Sequence, residues 1–446
     1  MNGREIALNI LMDINVEGAF SNHAINKYLK GKNNVRDENL IRELVYGVLE
    51  NRTYIDHMIA QSSKIRIGKI HPRILEILRM GVYQIVFMDK IPDRAAINEA
   101  VNLSKKRGHK GVSGYVNGVL RNISRHKEKL MKVDEKDKTH YLSTKYSHPL
   151  WMVERWIKDY GYEFTKELCQ HNNSKPKLNI RVNTIKITRK DLVGRLSKYG
   201  YTVHETKYAK DGLIIEKPTR ITETEEFKSG YFFIQDESSM LVAQIANPNE
   251  SSFILDLCSA PGGKSTHLGQ MMNNKGIIIS RDIYDHKLNL IKENADRLGI
   301  EIIEIEKFDA LELDMDLIGK ADYCIVDAPC SGLGIIRRRP EIKWNRTEKD
   351  IEELTEIQFN ILDNAKRYIK PGGIIIYSTC TVGKEENINI IKRFLHKNSE
   401  FNLIGFENLI CSNEHMETSK EGYIELFPHI HNTDGFFIAK IQRKNG

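Results

Sequence analysis

The chain has 446 residues, which is too long for one ordinary domain and predicts two or three. Hydrophobic residues make up 40% and charged residues 28%, a balance typical of a soluble globular protein. No run approaches the ~20 apolar residues that a membrane span needs. The first 18 residues include acidic side chains and lack a cleavage-like site, which argues against a signal peptide. We therefore expect a cytoplasmic protein without a membrane partner.

The cysteines are scattered and form no C-x-x-C pair, which argues against a disulfide framework and against a zinc site. We expect no metal, and in a reducing compartment any special cysteine should be catalytic. The six are Cys169, Cys258, Cys324, Cys330, Cys380 and Cys411.

The basic charge is concentrated at one end. Residues 1–140 hold 25 Lys and Arg against 16 Asp and Glu, whereas the remainder holds 42 against 44. This asymmetry indicates a terminal module that binds a polyanion, although a solvated helical surface would have the same composition. The preferred contacts are the Lys105-Lys106-Arg107 cluster and Lys110.

The first ~130 residues predict an all-α bundle, because apolar residues recur at helical spacing. Pro72 suits the first turn of a helix, and the polar stretch 125–138 reads as a linker. The helical segments are Ile6–Ile14, Leu40–Val48, Pro72–Ile85, Ala96–Leu103 ending at Gly108, and Val112–Ile123.

Residues 140–235 predict a small α/β module between the two ends of the chain. Its helices are expected at 149–161 and near Asp191–Tyr199, and its strands at 178–184, 212–216 and 231–236.

From Ser251 onwards, apolar strands alternate with helices, which predicts right-handed βαβ units and a mostly parallel, doubly wound sheet. Ligands bind at the carboxyl ends of the strands in such sheets. The expected strands are Phe253–Leu257, Gly276–Ser280, 302–306, Tyr323–Asp327 and Gly372–Cys380, with a long helix at about Glu348–Ile369.

A glycine-rich segment follows the first of these strands. Gly262 and Gly263 allow a tight turn close to a ligand, but the spacing fits neither a dinucleotide fingerprint nor a P-loop. The segment comprises Cys258, Ser259, Ala260, Pro261, Gly262, Gly263 and Lys264.

Aspartates follow the next strands in order. Asp282 could accept both ribose hydroxyls, Asp309 an adenine amino group, and Asp327 lies where the methionine part is expected. This acidic set favours a cationic nucleoside, S-adenosylmethionine (SAM), over a phosphate-bearing cofactor. The alternative is that each aspartate only caps the next helix.

Two cysteines end two strands that should be neighbours, Cys330 in Asp327-Ala-Pro-Cys-Ser-Gly and Cys380 in Ser-Thr-Cys-Thr. Cytosine C5 is a weak nucleophile until a thiolate adds at C6. An acid must then stabilise the ring, and a base must remove the C5 proton. Two thiols and Asp327 supply parts for that sequence, whereas Cys324 lies mid-strand and reads as a core residue.

These motifs carry a resemblance to a known family. Together with Arg337–Trp344 and Asp434–Lys440, they resemble the bacterial rRNA cytosine-C5 methyltransferases of the NOL/NOP/Sun family. The N-terminal segments Ile91–Val101 and Tyr115–Leu120 resemble the transcription factor NusB. The pairing covers nearly the whole chain.

The resemblance implies a multidomain protein. Residues 1–135 would be an all-α NusB-like RNA-binding bundle, 140–235 a small α/β module that binds RNA and links the other two domains, and 236–446 a Rossmann-like SAM-dependent methyltransferase domain. The implied partner is 16S rRNA, methylated at cytosine 967 before or during small-subunit assembly by a monomer without an obligate protein partner.

The resemblance also implies roles for single residues. Cys380 would be the nucleophile that bonds to C6, Cys330 would assist release of the product, and SAM would contact Cys258–Lys264, Asp282, Asp309 and Asp327. Two neighbours depart from the family pattern: Arg281 stands where a small or apolar residue is expected, and Phe308 where glycine is usual.

Other functions stay open at this point. A uracil-C5 or tRNA cytosine enzyme would also use a cysteine adduct, although the uracil enzyme needs only one cysteine. A DNA cytosine enzyme would place its nucleophile at Cys330, and an adenine-N6 enzyme would need a different loop after Asp327. An RNA-binding or antitermination factor with an inactive methyltransferase domain is the alternative from another class.

Overall fold

The computed structural model of the protein describes residues 2–29, 35–106 and 110–445, and the chain forms two compact units. The helical unit comprises Met1–Ser174 and Ile336–Arg346, and the sheet unit comprises Lys175–Ile335 and Thr347–Gly446. Across the described ranges, we find no helix whose length and hydropathy would let it cross a membrane.

Residues 3–130 of the helical unit form a bundle around one apolar core, which confirms the all-α bundle that the sequence predicts for this part of the chain. Pro72 occupies the first turn of its helix, and the preceding His71 caps it. Two predictions fall outside the described residues: the end of the fourth predicted helix at Gly108, and the RNA contacts at Arg107 and the Lys110 side chain. The helices are α1 Gly3–Asn15, α2 Ser21–Leu29, α3 Val35–Glu50, α4 Arg52–Ser62, α5 Pro72–Phe87, α6 Asp93–Lys105, α7 Lys110–Arg125, α8 Lys127–Leu130, α9 Lys138–Lys145, α10 Leu150–Tyr160 and α11 Tyr162–Asn172.

The sheet unit begins with a four-stranded antiparallel sheet in the order β2-β3-β1-β4. A βαββαβ chain order with this pairing is the ferredoxin-like arrangement. The strand β2 was not predicted, because its residues are mostly exposed and show no apolar alternation. The elements are β1 Leu178–Val182, α12 Arg189–Ser197, β2 Thr202–Glu205, β3 Gly212–Glu216, α13 Glu225–Lys228 and β4 Phe232–Ile234.

A larger, eight-stranded sheet follows, in the order β10-β12-β9-β8-β5-β6-β7 with β11 paired to β12. The helices and strands in this part of the chain are, in chain order, α14 Glu237–Ala246, β5 Phe253–Asp256, α15 Gly263–Met271, β6 Ile277–Asp282, α16 Asp285–Leu298, β7 Ile303–Lys307, β8 Ala321–Asp327, α17 Ile342–Asn345, α18 Glu348–Tyr368, β9 Ile369–Thr379, α19 Ile388–Lys397, β10 Phe401–Leu403, β11 Tyr423–Leu426, α20 Pro428–His431 and β12 Phe436–Arg443.

Strands β5 to β9 of the larger sheet are parallel, and β12 runs antiparallel to β9. The chain leaves β5 for β6 and β7 on one side, then returns to β8 on the other. This reversal makes the carboxyl ends of β5 and β8 a topological switch point, the usual ligand crevice of an open α/β sheet. The mostly parallel, doubly wound sheet that the sequence predicts is confirmed.

Helices cover both faces of the larger sheet, which explains its continuous apolar strands. Phe359 of α18 and Phe394 of α19 pack on one face. Leu241 of α14 and Leu268 of α15 pack on the other. Cys324 in the middle of β8 is fully buried in this core, as the sequence predicts.

A short segment between β8 and α18, residues 336–346 with helix α17, belongs to the helical unit. The indole Nε1 of Trp344 donates to the carbonyl of Leu49 at 2.9 Å, and Lys343 Nζ donates to the carbonyl of Glu50 at 2.8 Å. Burial lowers the pKa of Lys343 to about 7. The segment Arg337–Trp344 of the family resemblance therefore packs among the N-terminal helices.

Candidate active site

The carboxyl end of β5 carries Asp256, which is fully buried. Ser265 Oγ, on the first turn of α15, donates to Asp256 Oδ2 at 2.6 Å. Burial raises the pKa of Asp256 to about 7. The side chain thus fixes the start of α15 against the strand from which the glycine-rich loop departs.

The glycine-rich loop is held against the neighbouring strand β6. The amide and the hydroxyl of Ser259 both donate to the carbonyl of Arg281, at 2.9 and 3.0 Å. The peptide bond between Ala260 and Pro261 is cis. These contacts place the loop at the carboxyl ends of β5 and β6.

Both glycines of the loop are needed where they stand. Gly262 has φ of +92°, and a Cβ there would lie 3.2 Å from the Cα of Ile291 on α16. A Cβ on Gly263 would lie 3.0 Å from the ring of Phe233 on β4. The loop is therefore a tight cradle between α16 and the ferredoxin-like sheet.

Arg181 of β1 supports this cradle and was missed in the sequence analysis. Its buried guanidinium donates to the carbonyl of Gly263 at 2.5 Å and to Thr266 Oγ1 at 3.0 Å. Burial lowers the pKa of Arg181 to about 9. The signal in the sequence is an arginine inside a short predicted strand.

The predicted cofactor aspartates follow β6 and β7, which are neighbours. Asp282 is buried at the end of β6, and its contacts are long: the amide of Tyr284 at 3.2 Å and Lys287 Nζ at 3.4 Å. Asp309 is exposed and accepts from the amide of Leu311 at 2.9 Å, so it caps its own turn. Asp282 has more capacity left for a ligand.

The two departures from the family pattern form one structural feature. The guanidinium of Arg281 lies 4.3 Å from the centroid of the Phe308 ring, a cation–π contact. The same guanidinium donates to Glu306 at 2.8 Å and to Asp314 at 2.5 Å. The unusual arginine and phenylalanine therefore pack on each other beside the carboxyl ends of β6 and β7.

Lys264 and Asp327 form an ion pair between the cradle and β8. Lys264 Nζ donates to Asp327 Oδ2 at 2.5 Å, and Ser378 Oγ donates to Asp327 Oδ1 at 2.9 Å. Both oxygens of Asp327 are therefore engaged. Lys264, which the sequence analysis grouped with the cofactor loop, is directed to the strands that carry the cysteines.

Cys330 and Cys380 lie together at the ends of β8 and β9. Their sulfurs are 3.1 Å apart, and the amide of Cys380 donates to Cys330 Sγ at 3.3 Å. The hydrogen bond with Cys380, together with burial, raises the pKa of Cys330 well above its ordinary value. Cys330 therefore holds its proton and can donate it to the sulfur of Cys380.

Glu386 is a second residue that the sequence analysis missed. It is buried and accepts from the amide of Ser331 at 2.8 Å and from the side-chain amide of Gln358 at 2.9 Å. In sequence it is the second of two adjacent glutamates, Glu385 and Glu386, in a polar turn after β9, a pattern typical of solvent-exposed loops. Nothing in the sequence alone distinguishes it from its neighbours.

The remaining cysteines do not join the pair. Cys169 is buried in the helical unit, and Cys411 is exposed. Burial raises the pKa of the Cys258 thiol, which packs against the core of the larger sheet. Within the described ranges, no three His, Cys, Asp or Glu side chains are grouped so as to hold a metal ion.

The chemistry of this crevice suits a cationic nucleoside cofactor. Gly262 and Gly263 let the loop pack closely against α16 and β4, and the buried Asp282 offers acceptors for hydroxyl groups. The spacing of the glycines before Lys264 is not that of a phosphate-binding P-loop. The residues present therefore fit SAM.

Family comparisons agree with this arrangement. Residues 243–442 match the family "16S rRNA methyltransferase RsmB/F", residues 1–125 match the NusB family, and residues 148–222 match the ferredoxin-like domain of RsmF/B-like methyltransferases. The three matches follow one another in the order of the observed folds.

Individual relatives match along the whole chain. The "probable ribosomal RNA small subunit methyltransferase B" of Bacillus subtilis (strain 168) is 39% identical, with 99% of this chain and 98% of that protein covered. A protein of the same name from Synechocystis sp. is 33% identical, with 99% and 100% covered.

Solved structures also resemble this chain. The crystal structure of PH0851 gives a TM-score of 0.83 at 27% identity, with 99% of both chains covered. The structure of NSun6 from Pyrococcus horikoshii with SFG gives 0.58 at 26% identity, with 66% of this chain and 97% of that chain covered. With relatives above 30% identity over nearly its full length, the chain belongs to the ribosomal RNA small subunit methyltransferase B family, and its cofactor is SAM.

Proposed function

We propose that the protein methylates C5 of a cytosine in 16S rRNA, cytosine 967 by resemblance, through a covalent bond between Cys380 and C6 of the base. The observation that carries this proposal is the pair of sulfurs 3.1 Å apart beside the Lys264–Asp327 ion pair. The names of the relatives, rRNA small subunit methyltransferases, support the choice of RNA.

Cys380 is the nucleophile of the proposed reaction. Cys380 gives its S–H proton to solvent, and the resulting thiolate bonds to C6 as the C5–C6 double bond opens, which makes C5 nucleophilic. The S–H of Cys330 supports the attacking thiolate as a hydrogen-bond donor. Bound SAM supplies the methyl group that C5 accepts.

Cys330 acts when the product leaves. Attack converts the Cys380 sulfur into a neutral thioether, which removes the first cause that raises the pKa of Cys330. Cys330 can then lose its proton to solvent and accept the C5 proton. As C5–C6 becomes a double bond again, the bond from C6 to Cys380 breaks and Cys380 leaves as a thiolate.

Asp327 and Lys264 serve the base in this proposal. Asp327 lies on the strand end before Cys330, and its pairing with Lys264 and Ser378 fixes its carboxylate. We assign it the orientation of the cytosine ring near N3 and the relay to N3 of a proton that the Lys264 ammonium gives up. The ribose of SAM is assigned to Asp282, its adenine to Asp309, and its methionine part to the cradle Cys258–Lys264.

RNA affinity is assigned in part to the helical unit. Lys64, Arg66 and Lys69, in the loop between α4 and α5, are exposed, and no acidic residue lies between positions 61 and 75. None of the three makes an ion pair within the ranges that the structure describes. By contrast, Lys106 of the cluster favoured by the sequence is paired with Glu5 at 2.8 Å. We therefore propose the α4–α5 loop as a phosphate contact.

The proposal is tested by incubating the purified protein with methyl-labelled SAM and 16S rRNA, then digesting the RNA to nucleosides. The expected product is 5-methylcytidine at one position. Bisulfite sequencing of 16S rRNA from a deletion strain should show the same cytosine unmethylated. Labelled 5-methyluridine would identify the uracil alternative. SAM binding without transfer to rRNA, transcripts or assembly particles would favour the inactive RNA-binding factor.

A further inference from the structure

We propose that Glu386 is a positioning residue that sets the distance between the sulfurs of Cys330 and Cys380. This inference rests on the proposed function, because it concerns the same two cysteines. Glu386 acts through Ser331 and Thr381, the residues that follow each cysteine. Its role would be to hold the two sulfurs at the separation that both the attack by Cys380 and the release assisted by Cys330 require.

The carboxylate of Glu386 joins the two cysteine loops directly. One oxygen accepts from the amide of Ser331 at 2.8 Å, and the other accepts from the hydroxyls of Ser331 at 2.5 Å and Thr381 at 3.3 Å. Ser331 follows Cys330 and Thr381 follows Cys380 in the chain. Their two hydroxyls are also 2.7 Å apart, so the loops meet at this carboxylate.

Two further contacts fix the carboxylate itself. Gln358 of α18 donates one amide hydrogen bond to Glu386 at 2.9 Å and another to the carbonyl of Pro329 at 3.0 Å. The hydroxyl of Tyr377 on β9 donates to the backbone carbonyl of Glu386 at 2.7 Å. The Pro-Cys loop and the Thr-Cys loop are thus tied to one helix and one strand through a single side chain.

Burial makes these bonds costly to lose. Glu386 is 1% exposed, and a buried carboxylate is tolerated only when donors satisfy it. Removing the carboxylate would leave the Ser331 amide without this acceptor, would cost the side-chain amide of Gln358 one of its two acceptors, and would open a void between the loops. A glutamine would keep the contacts, because its oxygen can face the two amides and its NH₂ can donate to the two hydroxyls.

The distance can be measured chemically without methylation. Diamide oxidises two adjacent thiols to a disulfide and is itself reduced to the hydrazine. In a Cys411→Ser background, diamide should link Cys330 to Cys380, and peptide mass spectrometry should locate the link. We expect Glu386→Ala to slow this reaction by about tenfold or more, and Glu386→Gln to stay within about twofold of the parent. Glu353→Ala, an exposed glutamate on α18, is the matched control.

A second variant guards against simple unfolding. Thr381→Val removes one donor at 3.3 Å and should slow the link less than Glu386→Ala, with SAM affinity unchanged by calorimetry. If Glu386→Ala does not fold, the double variant Ser331→Ala, Thr381→Val replaces it, with the same expected loss.

Linking at the parental rate in either folded protein would overturn the inference. The proposed function is tested separately, because the disulfide forms without RNA or SAM. If the proposed function also holds, Glu386→Ala should retain more covalently trapped RNA per turnover than Glu386→Gln, because release of the product depends on the Cys330 sulfur.

Discussion

Cys330 and Cys380 behave as a coupled pair of thiols, because their sulfurs are in contact. The contact with Cys380 and burial raise the pKa of Cys330 above its ordinary value. In the proposed mechanism, Cys330 therefore keeps its proton and donates a hydrogen bond to Cys380 during attack.

The two aspartates Asp282 and Asp327 should fail in different ways. Asp282 keeps acceptor capacity for a ribose, so Asp282→Ala should raise the SAM dissociation constant about 10-fold or more, measured by calorimetry. Asp327 is engaged by Lys264 and Ser378 beside the cysteines. Asp327→Ala should lower kcat at saturating SAM about 100-fold with a smaller effect on SAM affinity. If both variants lost only SAM affinity, the role assigned to Asp327 would be wrong.

At the level of secondary-structure elements, β12 holds the end of α14 through a buried lysine. Lys440 Nζ donates to the carbonyl of Ile245 in the last turn of α14 at 2.7 Å, where a cation is favourable. Burial nevertheless lowers the pKa of Lys440 from 10.5 to about 8. Lys440 therefore caps the carboxyl end of α14, and the burial of its charge opposes protonation.

The pH dependence of stability follows from this lowered pKa. Between pH 8 and 10.5 the unfolded chain binds the proton on Lys440 more tightly than the folded one, so this group makes stability rise with pH there. Lys440→Met removes the effect. The free energy of unfolding of the variant minus that of the parent should fall by about 2 kcal/mol from pH 7 to 9.5, measured by urea titration. Lys444→Met, an exposed lysine nearby, should show no such trend; an equal trend would contradict the assignment.

The strands that carry the site could be predicted from sequence, because β5, β6, β8 and β9 are apolar runs buried on both faces. Their order in the chain also indicates the switch point. The short strands β2, β10 and β11 could not, since they have few residues and depend on pairing with a partner strand. The packing of residues 336–346 in the helical unit depends on tertiary contacts with distant helices, which no local pattern reveals.

The same distinction holds for the site. Residues at strand ends, such as Asp282, Asp327 and Cys380, follow from the fold class and the chemistry. Arg181 and Glu386 do not, because each acts by hydrogen bonds to loops far away in sequence. A buried charge among ordinary polar residues becomes visible only when its partners are in place.

At the scale of the whole molecule, the basic excess lies in the N-terminal 140 residues. Deleting residues 1–135 would also remove the packing of Lys343 and Trp344, so substitutions are the cleaner test. Changing Lys64, Arg66 and Lys69 to alanine should weaken RNA binding and reduce the magnitude of its salt slope by about 2–3 units, since fewer phosphates are neutralised.

The control for this experiment removes three exposed lysines of the sheet unit, Lys320, Lys349 and Lys392. SAM affinity should be unchanged in both triple variants. Filter binding at several salt concentrations gives the slopes. An unchanged slope in the α4–α5 loop variant would remove that loop from the RNA contacts.

The central claim is that Cys380 forms the covalent bond and Cys330 frees the product. The direct test incubates each alanine variant and the double variant with SAM and 16S rRNA, then separates them on a denaturing gel. Cys330→Ala should accumulate a denaturant-resistant protein–RNA species that already carries the methyl group and disappears in the double variant. Cys380→Ala should give neither adduct nor product. An adduct trapped by Cys380→Ala, with Cys330→Ala inert, would reverse the roles and contradict the mechanism.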